Sequence, residues 1–323
     1  MSFLKNLRIK LTNKCQLNCA HCYNTAYSQR CDISDNVYEH MFTFLHNWED
    51  KSNTRIVLHG GEPFLFDLQK INRLVDFCHD QHFGAISCCT NLTYKLTDPI
   101  LNTMQKMYDG KGQSYIETSW DHKIRFNEKQ LQLWTKNIQT LLQNNIIPEV
   151  SITLTKQLLN DFTPEQIYAK FTALGVRHIQ FERLLVCGSA CNHNLVPSAY
   201  TLACWLANAA DVCPDNITVK YFDEIKDGLN GSCHGCVGRH CYNNQFTIDV
   251  DGTLYGCPVD YIHKRGSIFT GLQQNETQLN LINCVPDMCL DCQYNNVCKG
   301  DCYLINNRCT IKRLFETFNN QID

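Results

Sequence analysis

The chain has 323 residues, enough for one large domain and a small one, and its formal net charge of −3 comes from 29 Lys+Arg against 32 Asp+Glu. That balance offers no polyanion-binding face and sets nucleic acid aside as a partner; no uninterrupted apolar run approaches the ~18 residues of a membrane span. Twenty-one cysteines, an odd number behind no export signal, point to a reducing cytoplasm with metal clusters rather than to disulfides.

In chain order, Leu4, Leu7, Ile9 and Leu11 alternate with polar residues and read as a first strand, Leu7–Leu11, with no signal peptide before it. It leads into Cys15, Cys19 and Cys22, spaced C-x3-C-x2-C, with Tyr23 next. Further strands are predicted at Arg55–His59, Gly84–Thr90, Tyr115–Trp120, Glu149–Leu154 and His178–Glu182. Between them, apolar residues at helical spacing predict helices at Asp35–Trp48, Leu68–His79, Glu128–Leu142 and Pro164–Leu174. Thr163 and Gln166 supply a capping box for the last of these. The βα spacing of about thirty residues predicts an α/β fold, a partial parallel (β/α)6 barrel with its active-site loops at the C-terminal strand ends. A bridging region with a helix over Pro197–Val212 follows, and a short helix at Ile311–Phe318 closes the chain. Between Cys233 and Cys309 periodicity fades and ten of the 21 cysteines accumulate. The expected division is 1–190 for the barrel, 191–230 for the bridge and 231–323 for a cysteine-rich domain.

Three thiolates can hold three irons of a 4Fe–4S cluster and leave the fourth open, as a catalytic rather than a closed structural metal site requires. A zinc knuckle or stray core cysteines would be the plainer account. The C-x3-C-x2-C spacing with its trailing aromatic resembles that of the radical S-adenosylmethionine (SAM) enzymes. In that family the open iron binds SAM, and reductive cleavage of SAM gives a 5′-deoxyadenosyl radical that abstracts a substrate hydrogen. At the other end, Cys241, Gly252 and Cys257 are spaced C-x10-G-x4-C, and Cys289, Cys292, Cys298 and Cys302 are spaced C-x2-C-x5-C-x3-C before Cys309. This pattern resembles the SPASM extension, which holds two auxiliary 4Fe–4S clusters. Structural zinc in four-cysteine sites is the alternative. The resemblance implies three clusters in all. Cys289, Cys292, Cys298 and Cys309 would hold the outer auxiliary cluster, and Cys241, Cys257 and Cys302 the inner one, with Cys236 or its rival Cys233 as eighth ligand.

The same resemblance places SAM along Gly60, Gly61, Glu62 and Pro63, where glycines allow close backbone approach. Thr90 and Asn91 would line the site, with Ser119 and Asp121 at the end of the fourth strand. Arg125 would pair with the SAM carboxylate, Ser151 or Thr153 would contact the ribose, and Arg183 lies near the expected adenine contacts. Taken alone, Gly60-Gly61 is a turn after a strand and Arg125 an exposed residue at a helix start. Cys187, at the barrel mouth, is a candidate hydrogen donor, since epimerases of the superfamily use a cysteine so. Asp260, three residues after Cys257, or its neighbour Tyr261 is a candidate base or hydrogen donor, although a solvated loop acid is the simpler reading. Cys31, Cys78, Cys88, Cys89, Cys204 and Cys213 are expected to be small core residues. The implied activity is oxidative modification or cross-linking of a peptide in the cytoplasm, with flavodoxin or ferredoxin as electron donor. The barrel begins almost at residue 5, so either a separate leader-peptide-binding protein or direct binding of the peptide is expected. Dehydrogenation or epimerisation of a small molecule such as a sugar or aminocyclitol is the alternative. A non-enzymatic iron–sulfur or zinc scaffold is the third reading, which SAM binding would exclude.

Overall fold

A computed structural model describes residues 4–26, 30–110, 113–231, 237–305 and 309–322. Six parallel strands form its centre: β1 (Lys5–Thr12), β2 (Thr54–Gly60), β3 (Ala85–Cys89), β4 (Ile116–Ser119), β5 (Pro148–Leu154) and β6 (His178–Arg183). They pair in sequence order, with Leu7 opposite Ile56, Ile56 opposite Ile86, Cys88 opposite Ile116, and Ser151 opposite Gln180. β7 (Thr218–Val219) extends the row beyond β6. On the other side of β1, β8 (Gln245–Ile248) joins in parallel, followed by antiparallel β9 (Thr253–Tyr255), β10 (Lys264–Ser267) and β11 (Gly271–Leu272). The sheet therefore runs β11-β10-β9-β8-β1 through β7 and is not closed. The cysteine-rich region continues the barrel's own sheet.

Alternation along β1 sets the two faces. Leu7, Ile9 and Leu11 are fully buried in the apolar core, and Arg8, Lys10 and Thr12 occupy the opposite face. Helices cover the apolar face: α1 (Asp35–His46), α2 (Leu68–Asp80), α3 (Asp98–Met107), α4 (Glu128–Gln143), α5 (Lys156–Asp161) and α6 (Pro164–Ala173). Four of the five longer ones start where the chain supplies a side-chain cap. Ser34 accepts from the Val37 amide, Asp67 accepts from Gln69 and Lys70, and Asn127 and Thr163 make full capping boxes with Gln130 and Gln166. After β6 come α7 (Ala199–Asp211) and α8 (Lys220–Leu229), then the short α9 (Cys241–Asn244), α10 (Glu276–Asn283), α11 (Asn295–Cys298) and α12 (Lys312–Ile322). Phe318 of α12 meets Phe222 of α8 edge-on at 5.5 Å, which docks the chain's end against the barrel. Among the described residues no helix is long and apolar enough to cross a membrane.

The six barrel strands and the helices α1, α2, α4, α6, α7 and α12 agree with expectation to within a few residues. Helices α3, α8 and α10 and the run β8–β11 were not expected.

Candidate cluster and cofactor site

The C-x3-C-x2-C loop leaves the C-terminal end of β1, the rim where barrel sites are built. Its backbone is clamped from three sides. Gly61 N donates to Thr12 O and Glu62 N to Lys14 O, both at 2.8 Å. Ala20 N donates to Ile124 O at 3.1 Å, and Ser189 N to Cys22 O at 3.0 Å. A Cβ on Gly61 would lie 2.0 Å from Lys14 O, and one on Gly60, at φ +121°, 2.3 Å from Thr12 O. The glycine pair is thus the seat on which the cysteine loop rests.

Glu62 is fully buried. Its carboxylate accepts from Asn91 N at 2.7 Å, Thr90 Oγ1 at 2.9 Å and Phe64 N at 3.1 Å. Burial nevertheless pushes its carboxyl up to about 7, against the pull of those bonds. Asn91 in turn donates to Cys15 Sγ at 3.6 Å and to Gln16 Oε1 at 3.2 Å, and Leu17 N donates to Cys15 Sγ at 3.4 Å. Thr90 and Asn91 are buried braces of the loop, and their polar groups are engaged in holding it.

At the end of β4, Asp121 is buried and accepts from Thr153 N at 2.8 Å and from Arg125 Nε at 2.5 Å. His21, inside the cysteine motif, stands 3.2 Å from the same carboxylate. Burial opposes the charge on Asp121, but Arg125 and His21 hold its carboxyl far below the usual range. Arg125 is therefore a fixed cation, and its charge favours the Cys19 thiolate. Ser151 Oγ donates to Glu117 Oε1 at 2.8 Å, while Ser119 pairs with Ser151 in register. Tyr23, the motif's trailing aromatic, bonds His59 Nδ1 at 3.0 Å, and Gly60 N donates to the same nitrogen at 2.8 Å. Burial, with Arg8 and Lys10 nearby, pulls His59 down to about 3, so it is neutral.

Arg183 is not a free group beside a nucleotide. Its guanidinium forms a two-pronged ion pair with Asp301, donates to Thr310 Oγ1 at 3.3 Å and lies over Tyr221 at 5.3 Å. It ties β6 to the cysteine-rich end. Asp260 is also not a solvated acid. It is 3% exposed and accepts from Gln278 Nε2 at 2.8 Å and from Tyr303 Oη, with His263 Nδ1 at 2.8 Å.

The donor sets fit iron–sulfur clusters. Burial pushes the Cys19 thiol up to about 11. It also pushes Cys241 to about 12, helped by Cys257 and Cys302, and Cys302 to about 12, helped by Cys257. In a second group burial raises Cys289, with Cys309 and Cys292 adding to it, and takes Cys298 to about 12, with Asp301 and then Cys309 adding. The cysteines that raise one another here fall within the inner or the outer set that the spacing implies, and their thiolates suit a soft cation. Among the described residues no three His, Cys, Asp or Glu side chains converge on a single metal ion. Cys233 and Cys236 lie outside the described residues. Gly252, the glycine between Cys241 and Cys257, turns the β8–β9 hairpin at φ +81°.

Cys187 caps a short 3-10 helix, Gly188–Asn192, that packs on the cysteine loop; a Cβ on Gly188 would lie 2.3 Å from Cys22 O. Burial, then Cys191, Cys257 and Cys22, pushes its thiol up to about 11, which keeps it protonated. Cys78 and Cys88 are core residues as expected. Cys89 is not: its thiol donates to Glu117 Oε2 at 3.2 Å. Sequence reading missed Gln16, His21, His59 and Glu117. Only His21 and Gln16 carried a signal, by lying inside the cysteine motif.

Comparison with known proteins agrees with this geometry. The profile of the family described as "4Fe-4S single cluster domain" matches residues 8–146. An uncharacterized protein of Methanocaldococcus jannaschii is 32% identical over 79 residues, spanning 24% of this chain and 26% of the relative's length. Among solved structures, anSMEcpe with bound AdoMet superposes with a TM-score of 0.80 at 17% identity, covering 98% of this chain and 97% of that one. Streptococcus suis SuiB bound to precursor peptide SuiA superposes with a TM-score of 0.64 at 14% identity, covering 94% and 73%. At these identities the likeness establishes the fold alone, an α/β fold built on an open, mainly parallel sheet that this chain shares with those structures.

Proposed function

We propose that this chain, built on the radical SAM/SPASM fold, is an oxidoreductase that cleaves SAM reductively and oxidises or cross-links a peptide. One observation carries the reading: three cysteines on one rim loop, seated on Gly60-Gly61 and braced by Glu62 and Asn91. The AdoMet in one structural neighbour and the precursor peptide in another support it.

When bound, the open-iron cluster and SAM would supply the 5′-deoxyadenosyl radical that abstracts a substrate hydrogen. The chain's residues hold and orient. Cys15, Cys19 and Cys22 take the first cluster, and the backbone of Gly60–Pro63 runs beside SAM. Arg125, fixed by Asp121, offers charge to the SAM carboxylate. Ser119 and Ser151 lie along the strands toward the ribose. Cys241, Cys257 and Cys302, with Cys236 or Cys233, take the inner auxiliary cluster, and Cys289, Cys292, Cys298 and Cys309 the outer one. Three clusters, the division at 190 and 230, a flavodoxin or ferredoxin donor, a separate leader-binding protein and a cytoplasmic site belong to the same reading. Arg183 serves it as a strut rather than as an adenine contact. Asp260 sits at the Cys257 loop as a positioning group or base. Cys187, kept protonated, suits hydrogen-atom donation.

Short peptides encoded beside the gene, each co-expressed anaerobically in deuterated medium, test this by mass spectrometry. Loss of two hydrogens from one peptide, abolished by Cys19→Ala, is the expected result. Deuterium gained at a backbone carbon without hydrogen loss would mean epimerisation and promote Cys187. Unmodified peptides beside continued SAM cleavage would overturn the peptide reading in favour of a sugar or aminocyclitol.

A further inference from the structure

The inner face of the barrel sheet is not packed with the branched aliphatic residues usual in a closed barrel. Cys89, Glu117, Ser151, Gln180 and Glu182 occupy one face of β3–β6. Cys89 is opposite Glu117, Ser151 opposite Gln180 and Thr153 opposite Glu182. The intervening Cys88, Ile116, Val150, Ile179 and Phe181 point the other way, into the apolar core.

Both oxygens of Glu117 accept from neutral donors, Cys89 Sγ and Ser151 Oγ. Among the described residues neither Glu117 nor Glu182 has a cation within ion-pair distance. The nearby positive groups are committed: Lys220 to Glu149 at 3.3 Å, Arg183 to Asp301, and Arg8 to Gln245. Glu182 is solvent-exposed near the C-terminal end of β6. A second observation is independent of the carboxylates. Gln180 is 8% exposed, and its Oε1 has no hydrogen-bond partner. A buried acceptor left without a donor is unfavourable, and a ligand that brings one relieves it. Its strand position sets it on the same face as Ser151 and Glu182.

We propose that this face is a substrate subsite for a cationic, donor-rich group, an ammonium or guanidinium, held by Glu117 and Glu182 with Gln180 Oε1 completing the set. Cys89 and Glu182 stand at the C-terminal ends of their strands, on the rim that carries the cysteine loop. A side chain anchored here presents its neighbouring carbons toward that loop. The assignment rests on the proposed function and names the class of side chain it acts beside.

The test is ligand-observed NMR titration of the reconstituted holoprotein, with and without SAM, using three probes: Nα-acetyl-lysine methylamide, its norleucine counterpart and cadaverine. The lysine probe is expected to bind at least about tenfold tighter than the norleucine probe, the size of one lost charge-assisted bond. Glu117→Gln and Glu182→Gln, each checked for an unchanged circular dichroism spectrum, should each remove about tenfold. Cadaverine binding as well as the lysine probe would identify a free amine as the source, and weaker binding a peptide side chain; both support a cation subsite. Equal binding of lysine and norleucine probes, or unchanged affinity in both variants, would overturn it. Failure of SAM to bind, with the lysine preference intact, would count against the proposed function and not against the subsite.

Discussion

The ion pair between Arg183 and Asp301 is expected to hold the cysteine-rich end to the barrel, and its strength can be worked from its surroundings. The two side chains are 8% and 6% exposed. Breaking a buried pair by removing one partner costs about 3–5 kcal/mol, because the other charge is left buried. Burial opposes the Arg183 charge, yet Asp301 and Tyr221 hold its guanidinium firmly protonated, so it cannot escape by neutralising. Asp301 has φ +64°, where Ala would add backbone strain and Asn is tolerated. Asp301→Asn therefore isolates the charge. It is expected to lower stability by about 3 kcal/mol. Arg183→Met should do the same, and the double variant should cost clearly less than the sum. Urea unfolding of anaerobically reconstituted protein measures this, followed by circular dichroism and by the visible absorbance of the clusters. Two probes are needed because a protein with several bound clusters need not unfold in one step. Single-variant losses below about 1 kcal/mol, the range of exposed pairs, would refute the reasoning.

Other outcomes follow from the same geometry. Gly61→Ala would place a methyl 2.0 Å from Lys14 O and is expected to displace the cysteine loop, with loss of the N-terminal cluster's iron and retention of the auxiliary iron. Gly188→Ala, with its Cβ 2.3 Å from Cys22 O and φ +54°, should weaken that same cluster, read as faster iron release to a chelator. Burial raises the Glu62 carboxyl from 4.5 to about 7, so the folded state holds a proton that the unfolded state gives up. Its stabilising contribution is full below pH 4.5 and is lost as pH rises through about 7. Wild type should lose about 3 kcal/mol over that window relative to Glu62→Gln, measured as the difference between their unfolding curves at pH 5 and pH 8; parallel curves would contradict the assignment.

The barrel was legible because its strands obey a local rule. Leu7, Ile9 and Leu11 declare a buried face without knowledge of any partner, and Thr163 with Gln166 announces a helix start three residues apart. The proposed cluster ligands rest on cysteine spacing, which is itself a signal that needs no knowledge of the fold. What escaped was either short or distant. β9 and β11 have three residues and two, too few for alternation to be read. The α8 stripe of Tyr221, Phe222 and Ile225 spans little more than one turn. Arg183 and Asp301 are 118 residues apart, and Asp260 meets Tyr303 across 43, so neither burial could be inferred from neighbours in sequence. The same distance hid Cys89: its pairing with Glu117 depends on the register of β3 against β4, and the sequence does not state register.

The most direct test of the central claim is anaerobic incubation of the reconstituted, dithionite-reduced protein with SAM, with chromatographic quantification of 5′-deoxyadenosine and methionine. The account predicts that both form in equal amounts with wild type and that neither forms with Cys19→Ala. Intact SAM after incubation with fully reconstituted, reduced wild-type protein would contradict it.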